Sequence, residues 1–513
     1  MHPRFDVATQ PSVPVRMLTG ERQLLGWHAV LSRAHEIEDL DLPFPPAASG
    51  LKRMLAAAVA RITRLDQPDM PTQTWLRARN DHLEHITGFD PAAVDSYCAS
   101  HVWDLYDPVR PFLQDRLLAK QCAKTAGINA LVWGRPSGNN LDWFSPHTGT
   151  RPHPVLSHEA LWHLVMHHYY GRSGTCATRT LDPPVAKRLR LRAGPLRGTV
   201  SFHPHGRNLR ETLLLHLLPY QGHGQAPDTD RCPWEETAPP APHTPPPDTT
   251  WPGRQLAGRS RHALLLIADT DGSHATDVYL SYASIHSPPP ATDPYTIINT
   301  NQNQPADRRD TPQLADADRA TWRHLDTLVL ADDEITGPHS SRRRPAVFDH
   351  LNDLPGPVRA RLRVHIHAFD QDPTCKDRAW YSALTPPIWP WAQEHDPETA
   401  ARIAECRRAA ETLAAKLRST ANYAWKQATG APRARPSTWA REALTQYWPR
   451  AETLFWQLVE DHAPDAFTAF ARLAVTCLRT ATHTDLLHHP GAGPALALAV
   501  STLRATTARP KEH

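Results

Sequence analysis

The chain has 513 residues, more than a single hydrophobic core usually organises, so two or three domains are expected. Its 56 basic residues nearly balance its 53 acidic ones, and the net charge of +3 favours neither an acidic nor a basic partner. Nowhere do 18 consecutive apolar residues occur, which excludes a predicted membrane span.

Three features of the composition bear on function. The 51 prolines, about twice the usual share, predict long loops. Arginines far outnumber lysines, and the planar guanidinium suits phosphate and bases, although a GC-rich genome would produce the same excess. The seven cysteines are scattered and odd in number, and the N-terminus has no leader pattern, so a reducing cytoplasm is expected.

Two helices are predicted in the first half of the chain. The first runs from Ser49 to Leu65, where apolar residues recur in steps of three and four and form one stripe. The second runs from Ser157 to Tyr170, with Ser157 as its N-cap.

Two segments alternate between basic and apolar residues and are predicted to be strands with a basic face. Such a face is often merely solvated, but two of them favour a surface that follows a phosphate backbone. The predicted phosphate contacts are Lys187, Arg188, Arg190, Arg192 and Arg197 around the first segment, and Arg359, Arg361 and Arg363 on the second.

The remainder of the chain divides by composition. A proline-rich insertion at about 219–253 is expected to be exposed and partly disordered. From 391 to 513, four amphipathic segments with short connections predict a four-helix bundle, beginning at Asp396. The predicted fold class is therefore α+β: a large mixed α/β domain with long loops at 1–390, followed by an all-α bundle.

A search for catalytic chemistry finds no phosphate-binding glycine loop and no nucleophile elbow. The carboxylate clusters, Asp269 with Asp271 and Asp332 with Asp333 and Glu334, are better explained as turns. No enzyme activity, cofactor or metal ion is expected. A metal-dependent nuclease assembled from distant carboxylates remains the alternative from another class.

Three glycine-containing loops are candidates for close approach to a nucleic-acid groove: 127–138, 171–175 and 194–198. Ordinary tight turns are the alternative interpretation of each. These loops belong to a series of sequence blocks that follow one another along almost the whole chain. The blocks are Val13–Val15, Ala34–Leu55, Ala60–Asp66, Arg110–Asp115, Gly127–Phe144, Gly194–Leu215, Trp322–Leu330 and Phe369–Ile388.

In this order the blocks resemble the CasA family, the large subunit of the type I-E CRISPR surveillance complex called Cascade. The resemblance implies a non-catalytic subunit that contacts the 5′ handle of the CRISPR RNA. It also implies recognition of the protospacer-adjacent motif in double-stranded target DNA, mainly from the minor groove, and promotion of strand opening and R-loop formation. The other expected partners are the remaining Cascade subunits and a helicase-nuclease recruited for antiviral defence.

The resemblance also suggests which residues sense the motif. They are Asn129, Arg135, Asn139 and Asn140 in the first loop and Gly171 and Gly174 in the second. Gln371, in a turn formed by Asp370 to Asp372, is the candidate wedge that opens the duplex. A passive protein scaffold that binds no DNA is the third possible function.

Overall fold

The computed structural model describes residues 2–137, 145–185, 189–219, 229–288, 292–372, 377–430, 437–461 and 465–506. Its α-helices are α1 (Trp27–Ser32), α2 (Pro45–Thr63), α3 (Thr72–Glu84), α4 (Pro91–Ala99), α5 (Leu118–Gln121), α6 (Ile128–Leu131), α7 (Ser157–Tyr170), α8 (Leu209–Leu215), α9 (Ala306–Arg309), α10 (Leu325–Val329), α11 (Gly356–Arg361), α12 (Pro397–Thr429), α13 (Thr438–Glu460), α14 (Ala466–Thr482) and α15 (Ala492–Ala505). Its strands are β1 (Val13–Met17), β2 (Arg22–Leu25), β3 (Ile37–Leu40), β4 (Val155–Leu156), β5 (Val200–His205), β6 (His262–Ala268), β7 (His274–Tyr282), β8 (Ile298–Asn301), β9 (Asp310–Pro312), β10 (Glu334–Gly337), β11 (Ser340–Arg343), β12 (Arg363–Gln371) and β13 (Asp377–Leu384).

The chain divides into two units. The first comprises Met1–Asp318 and Asp333–Trp389, and the second comprises Arg319–Asp332 and Pro390–His513. The mixed α/β region and the helical C-terminal region confirm the predicted fold class. The segment Arg319–Asp332 belongs to the helical unit, whereas the sequence prediction places it in the first domain.

The strands named above lie in the first unit, in four antiparallel sheets whose strand orders are β2-β1-β3, β4-β7-β6, β13-β12-β5 and β10-β11-β8-β9. Helix α2 packs against α7 on one side and against β12 on another. This arrangement makes α2 the centre of the unit, and every residue from Pro46 to Ala60 is buried.

The burial of α2 extends to its charged residues, which the predicted single apolar stripe does not account for. The Lys52 ammonium lies 2.9 Å from the Asp39 carboxylate, and Arg53 forms two hydrogen bonds with the carboxylate of Asp293, of 2.7 and 2.9 Å. A buried charge is tolerated only when it is paired. Although burial opposes the charged form, Lys52 and His365 hold the pKa of Asp39 well below its usual value.

Helix α7 spans the predicted residues, but its N-terminus differs from the prediction. Leu156 occupies the N-cap position and Ser157 is the first helical residue. The Ser157 hydroxyl donates a hydrogen bond of 2.8 Å to the carbonyl oxygen of Gly272 in the turn between β6 and β7. The structural role of Ser157 is therefore this tertiary hydrogen bond and not capping of the helix.

The first predicted basic strand is wrong, and the second is confirmed only from Arg363 onward. Residues 189–192 form no strand, and only Leu191 pairs with another segment, through an isolated bridge to Gly174. In the second segment, Arg359 and Arg361 lie in α11, and β12 begins only at Arg363. Pro355 occupies the N-cap and Pro357 the first turn of α11, where proline is well tolerated, so a helical turn forms despite the alternating pattern.

The proline-rich insertion is packed in its described part, 229–253, contrary to the expectation of exposure. Cys232 and Trp234 are buried, and the Trp234 ring lies 6.0 Å from Trp27 and 6.2 Å from Trp103, centroid to centroid. The carboxylate of Asp230 accepts a hydrogen bond of 2.9 Å from the backbone N–H of Gly253. Aromatic burial therefore holds this proline-rich segment in place.

The second unit contains the four predicted helices, α12 to α15. Three of them begin at a side-chain N-cap, formed by Asp396, Ser437 and Asp465, each of which accepts a hydrogen bond from the backbone three residues on. The segment Arg319–Asp332 packs on α12. Its Asp326 carboxylate lies 2.6 Å from Arg407, and its Arg323 lies 2.8 Å from Glu411.

Among the helices in the described residues, none is long and apolar enough to cross a membrane.

Candidate nucleic-acid interface

The C-terminal end of α7 is crossed at close range by a second backbone segment. The backbone N–H of Gly194 donates a hydrogen bond of 2.7 Å to the carbonyl oxygen of Gly171. A Cβ atom on Gly194 would lie 2.4 Å from the carbonyl oxygen of Tyr169, and one on Gly171 would lie 2.4 Å from that of His167. Both positions therefore require glycine for reasons of space, and the two glycine loops lie against each other.

Further along the same loop, Gly174 and Leu191 exchange two backbone hydrogen bonds, of 3.2 and 2.9 Å. No described atom lies within 4 Å of the position that a Cβ of Gly174 would take. Among the described residues, the space beside the backbone of Gly174 is thus unoccupied. Arg172 joins it to the preceding loop, since its guanidinium donates a hydrogen bond of 3.3 Å to the Ser137 hydroxyl.

Asn129 and Arg135, which the sequence analysis proposes as sensors, form hydrogen bonds that stabilise the loop at 127–137. Asn129 is buried in α6 and its amide donates a hydrogen bond of 3.3 Å to the carbonyl oxygen of Thr148. The Arg135 guanidinium donates one of 2.6 Å to the carbonyl oxygen of His153. These contacts shape the loop. Asn139 and Asn140 lie outside the described residues.

The predicted turn at Asp370–Asp372 is in fact the end of a strand, because β12 continues through Gln371. The backbone N–H of Gly198 donates a hydrogen bond of 2.9 Å to the Gln371 side-chain carbonyl, and the Gln371 amide donates one of 2.7 Å to the Asp377 carboxylate. Gly198 has a φ of +69°, a conformation that favours glycine. Gln371 thus bridges the loop at 194–198 and the loop end of the β12–β13 hairpin.

Aromatic rings pack together where the loop at 127–137 contacts α7 and the β12–β13 hairpin. The Trp133 ring lies 5.2 Å from Phe369 of β12 and 5.1 Å from His167 of α7, centroid to centroid. Phe369 in turn lies 5.7 Å from Trp380 of β13. Trp133 stands in the predicted loop at 127–138, whereas Phe369 and Trp380 were not predicted to belong to the site. The three loops and the hairpin therefore form one continuous surface, the loop-hairpin surface, made of residues 127–137, 171–174, 194–198 and 369–380 as far as they are described.

The predicted phosphate contacts do not lie together. Arg190 is exposed, whereas Arg192 donates to the carbonyl oxygens of Ser284 and His286. Lys187 and Arg188 lie outside the described residues. Arg197 lies on the loop-hairpin surface, where its guanidinium is 3.6 Å from the Asp377 carboxylate.

The arginines of the second segment are used within the fold. Arg361 forms two hydrogen bonds with the buried Glu211 carboxylate, of 2.9 and 2.6 Å. Arg359 stacks over Trp389 at 4.1 Å, and Arg363 donates a hydrogen bond of 2.7 Å to the Thr385 carbonyl oxygen. Arg363 is at the opposite end of β12 from Gln371, roughly 26 Å away at the usual rise of a strand.

Two groups of acidic residues bear on metal binding. Asp269 and Asp271 accept hydrogen bonds of 2.9 Å from the backbone of their own turn, at Gly272 and Ser273, so the turn interpretation is confirmed for this pair. Within the described part of the chain, Asp39, His205 and His365 bring three potential ligand atoms within 4.8 Å of one another.

The position that a cation would take beside Asp39 is shared by Lys52. Its ammonium lies 2.9 Å from the Asp39 carboxylate and 3.1 Å from Nδ1 of His365. A lysine is therefore the counter-ion of this carboxylate, and a second cation at the same atoms would be repelled by the ammonium.

Comparisons with known proteins identify the family of the chain. A family model described as CRISPR-associated protein Cse1 matches residues 6–483. A curated CRISPR-associated protein CasA/Cse1 of Thermus thermophilus is 29% identical over 237 residues, which make up 44% of this chain and 41% of that protein. The matched region thus spans less than half of the length of this relative.

Solved structures match over nearly the whole chain. A chain of a CRISPR RNA-guided surveillance complex is 34% identical with a TM-score of 0.84, covering 98% of this chain and 99% of that one. The structure of Thermobifida fusca Cse1, at 19% identity, has a TM-score of 0.72 over 98% of each chain and shares the fold. Because the family model covers nearly all of the sequence, the chain belongs to the family of CRISPR-associated protein Cse1, as the resemblance to CasA indicates.

Proposed function

We propose that this chain is the non-catalytic large subunit of a CRISPR RNA-guided DNA surveillance complex of the Cascade type. In that complex it recognises the protospacer-adjacent motif in duplex DNA, promotes strand opening and R-loop formation, and docks a helicase-nuclease. Its partners are the 5′ handle of the CRISPR RNA, the duplex target and the other Cascade subunits, in the cytoplasm. Membership of the Cse1 family and the likeness to chains of solved CRISPR RNA-guided surveillance complexes support the assembly role.

The observation that carries the DNA-reading role is the convergence of three loops and one hairpin on the loop-hairpin surface. Gly171 and Gly194 have no side chain for steric reasons, and the space beside the backbone of Gly174 is unoccupied by described residues. Backbone that approaches a minor groove closely reads width and shape, which suffices for a short motif. Guide pairing then reads the remainder of the sequence.

Within this proposal, Gln371 is the wedge beside the recognised motif. Its side chain is engaged by Gly198 and Asp377, so insertion into DNA requires these two hydrogen bonds to be exchanged for contacts with the opened bases. Opening a base step costs a few kcal/mol. The exposed Arg190 contacts a phosphate of the duplex. The further proposed phosphate contacts are Lys187, Arg188, Arg192, Arg197, Arg359, Arg361 and Arg363.

The decisive experiment is coexpression with the other Cascade subunits and a CRISPR RNA, followed by binding of motif-bearing and motif-free duplexes. Copurification in a stoichiometric complex, with tighter binding of the motif-bearing duplex, is expected. A complex that assembles but binds both duplexes equally would favour the passive scaffold. Metal-dependent cleavage of DNA by the purified chain would favour the nuclease and contradict the proposal.

A further inference from the structure

A short segment with three exposed cations stands directly before the loop at 127–137. Arg116, Lys120 and Lys124 follow one another at intervals of four residues, and all three are exposed. None of them forms an ion pair with a residue that the structure describes. Unpaired cations on one short segment favour an anionic partner.

Two carboxylates stand close to this segment and leave it with an excess of positive charge. Asp277 of β7 accepts a hydrogen bond of 2.7 Å from the Thr125 hydroxyl, and Asp182 is exposed two positions after Thr180. Within the described ranges, neither carboxylate forms an ion pair with either lysine. The lysines are therefore available to a partner from outside the chain.

A neighbouring stretch, residues 174–180, runs from these cations to the glycine loops. The backbone N–H of Thr180 donates a hydrogen bond of 2.7 Å to the carbonyl oxygen of Gln121. Arg179 and Cys122 form an isolated antiparallel bridge. This end of the stretch is therefore fixed beside the segment that carries the two lysines.

The other end of the stretch lies beside a further exposed cation. Gly174 forms an isolated bridge with Leu191, and Arg190 stands next to Leu191 in the chain. Six residue steps separate Gly174 from Thr180, so the two ends are at most roughly 22 Å apart. Basic residues thus stand at both ends of one short stretch.

The buried Arg179 anchors the stretch to the fold. Its guanidinium donates hydrogen bonds to the Asp115 carboxylate over 2.9 Å, to the Tyr282 carbonyl oxygen over 3.0 Å and to the Gln121 side chain over 2.9 Å. A buried arginine that has all of these partners is costly to displace. The stretch is therefore preorganised, and little ordering is needed when a partner binds.

Two threonines of the stretch, Thr178 and Thr180, are exposed on either side of the buried Arg179. Threonine hydroxyls donate to phosphate and sugar oxygens, alongside lysine and arginine. Cations at both ends with hydroxyls between them match a sugar–phosphate backbone, in which negative charges alternate with sugar oxygens. An acidic protein segment would use the cations but offers no regular partner for the hydroxyls.

We propose that these groups hold the sugar–phosphate backbone of one strand of the target duplex, beside the recognised motif. Together they form the basic track, which consists of Arg116, Lys120, Lys124, Thr178, Thr180 and Arg190. At an axial rise of about 3.4 Å per nucleotide, a length of roughly 20 Å follows about six nucleotides. The track contacts no bases, so it strengthens the binding of every duplex and orients the duplex against the glycine loops. The inference rests on the proposed function and adds to it a surface that positions DNA without reading it.

The test uses the assembled complex with its CRISPR RNA, and duplexes with and without the motif, titrated across a salt series. The variant carries Lys120→Gln and Lys124→Gln together. Each lysine that contacts a phosphate contributes about 0.9 to the slope of log affinity against log salt. The slope should therefore fall by about 1.8 in magnitude, and both duplexes should be weakened by the same factor. An unchanged slope would overturn the proposal.

Lys416→Gln together with Lys426→Gln is the matched control. These two lysines lie on α12 in the second unit, and their replacement removes the same amount of charge. The slope for this variant should equal that of wild type. Equal changes of slope in the two double variants would show that net charge alone is responsible, and would contradict the track.

Thr178→Ala distinguishes direct contact from long-range attraction. The Thr178 hydroxyl is neutral and releases no counterion, so its loss should weaken both duplexes by about two- to tenfold without altering the slope. The melting temperature should not change, because this hydroxyl forms no hydrogen bond with a described residue. Unchanged affinity would mean that the lysines act only at a distance, and would overturn the contact surface.

Copurification tests for other occupants of the track. If the lysine variant loses the CRISPR RNA or another subunit during purification, the track binds RNA or protein and the proposal is wrong. The wild-type titration tests the proposed function separately, because it measures the preference for the motif-bearing duplex. A wild-type complex that has this preference, with lysine variants that behave like wild type, would reject the track alone.

Discussion

The side-chain carbonyl of Gln371 accepts a hydrogen bond of 2.9 Å from the backbone N–H of Gly198. This bond ties the end of β12 to the loop that crosses the C-terminus of α7. The amide group of Gln371 also donates a hydrogen bond to Asp377, at the loop end of the β12–β13 hairpin. The residue proposed to open DNA is thus also the one that joins two parts of the proposed DNA-reading surface.

In the assembled complex, Gln371→Ala should slow guide-strand pairing on a fully paired target, because nothing then stabilises the first opened base step. On a target with mismatches beside the motif, the rate should match wild type. Pairing rates followed by strand-separation fluorescence measure this. Gln427→Ala, an exposed glutamine on α12, is the matched control. Equal rates for Gln371→Ala and wild type on the fully paired target would rule out the wedge.

The close approach of Gly194 to the C-terminal end of α7 predicts that two glycine-to-alanine substitutions differ strongly in their effect on stability. Gly194→Ala places a methyl group 2.4 Å from a carbonyl oxygen and should lower the free energy of unfolding by about 1–3 kcal/mol. Gly149→Ala, in a loop with no described atom within 4 Å of the new methyl group, should change it by less than about 0.5 kcal/mol. Urea unfolding of the purified chain measures both. Similar losses in the two variants would show that the crossing is not closely packed.

The exposed Arg190 is the clearest test of phosphate contact. If its guanidinium binds one phosphate, Arg190→Ala should weaken all duplexes about equally and reduce the slope of log affinity against log salt by about 0.9. Binding measured across a salt series in the complex gives this slope. Arg77→Ala, an exposed arginine of α3, should leave it unchanged. A loss confined to motif-bearing DNA would indicate base or shape readout instead.

The second unit includes the distant segment Arg319–Asp332, so we expect the four helices alone to be less stable than the complete unit. A fragment of residues 390–513 lacks Asp326 and Arg323, the partners of Arg407 and Glu411. Adding a synthetic peptide of residues 319–332 should therefore raise its melting temperature in circular dichroism. The same peptide with Asp326→Asn and Arg323→Gln should have a much smaller effect. No shift with the native peptide would mean that the bundle is complete by itself.

Buried histidines predict a loss of stability in acid. Burial lowers the pKa of His163 and His216 to about 3 and that of His205 to about 4. The unfolded chain binds protons at these groups below about pH 6.5, whereas the folded chain does not. Stability is therefore complete above this pH and falls as the pH drops towards about 4, by about 1.4 kcal/mol per pH unit for each such histidine.

Urea unfolding between about pH 7 and pH 5 measures this slope. His163→Leu should reduce it by the contribution of one histidine, because His163 is buried among apolar groups in α7 and its Nδ1 has no partner among the described residues. An unchanged slope would mean that His163 is protonated in the folded chain.

Local pattern was enough to predict the helical region. Ile403, Cys406, Leu413 and Leu417 recur at helical spacing, and the structure buries all of them in α12. The N-cap at Asp396 was also predictable, because capping depends on residues within one turn. The same local logic failed at Arg359 and Arg361, where alternation suggested a strand but prolines start a helix.

What the sequence alone determined was the family, the fold class and the helices of the second unit, because these rest on motif order, periodicity and capping. Only the tertiary structure decided that Lys52 and Arg53 are buried with Asp39 and Asp293, that Asn129 braces its loop, and that Gln371 bonds Gly198. Each of these relationships joins residues far apart in the chain, or depends on which face of an element is covered. The periodicity of a sequence does not encode such a pairing, because the pairing depends on which elements pack against each other in the folded chain.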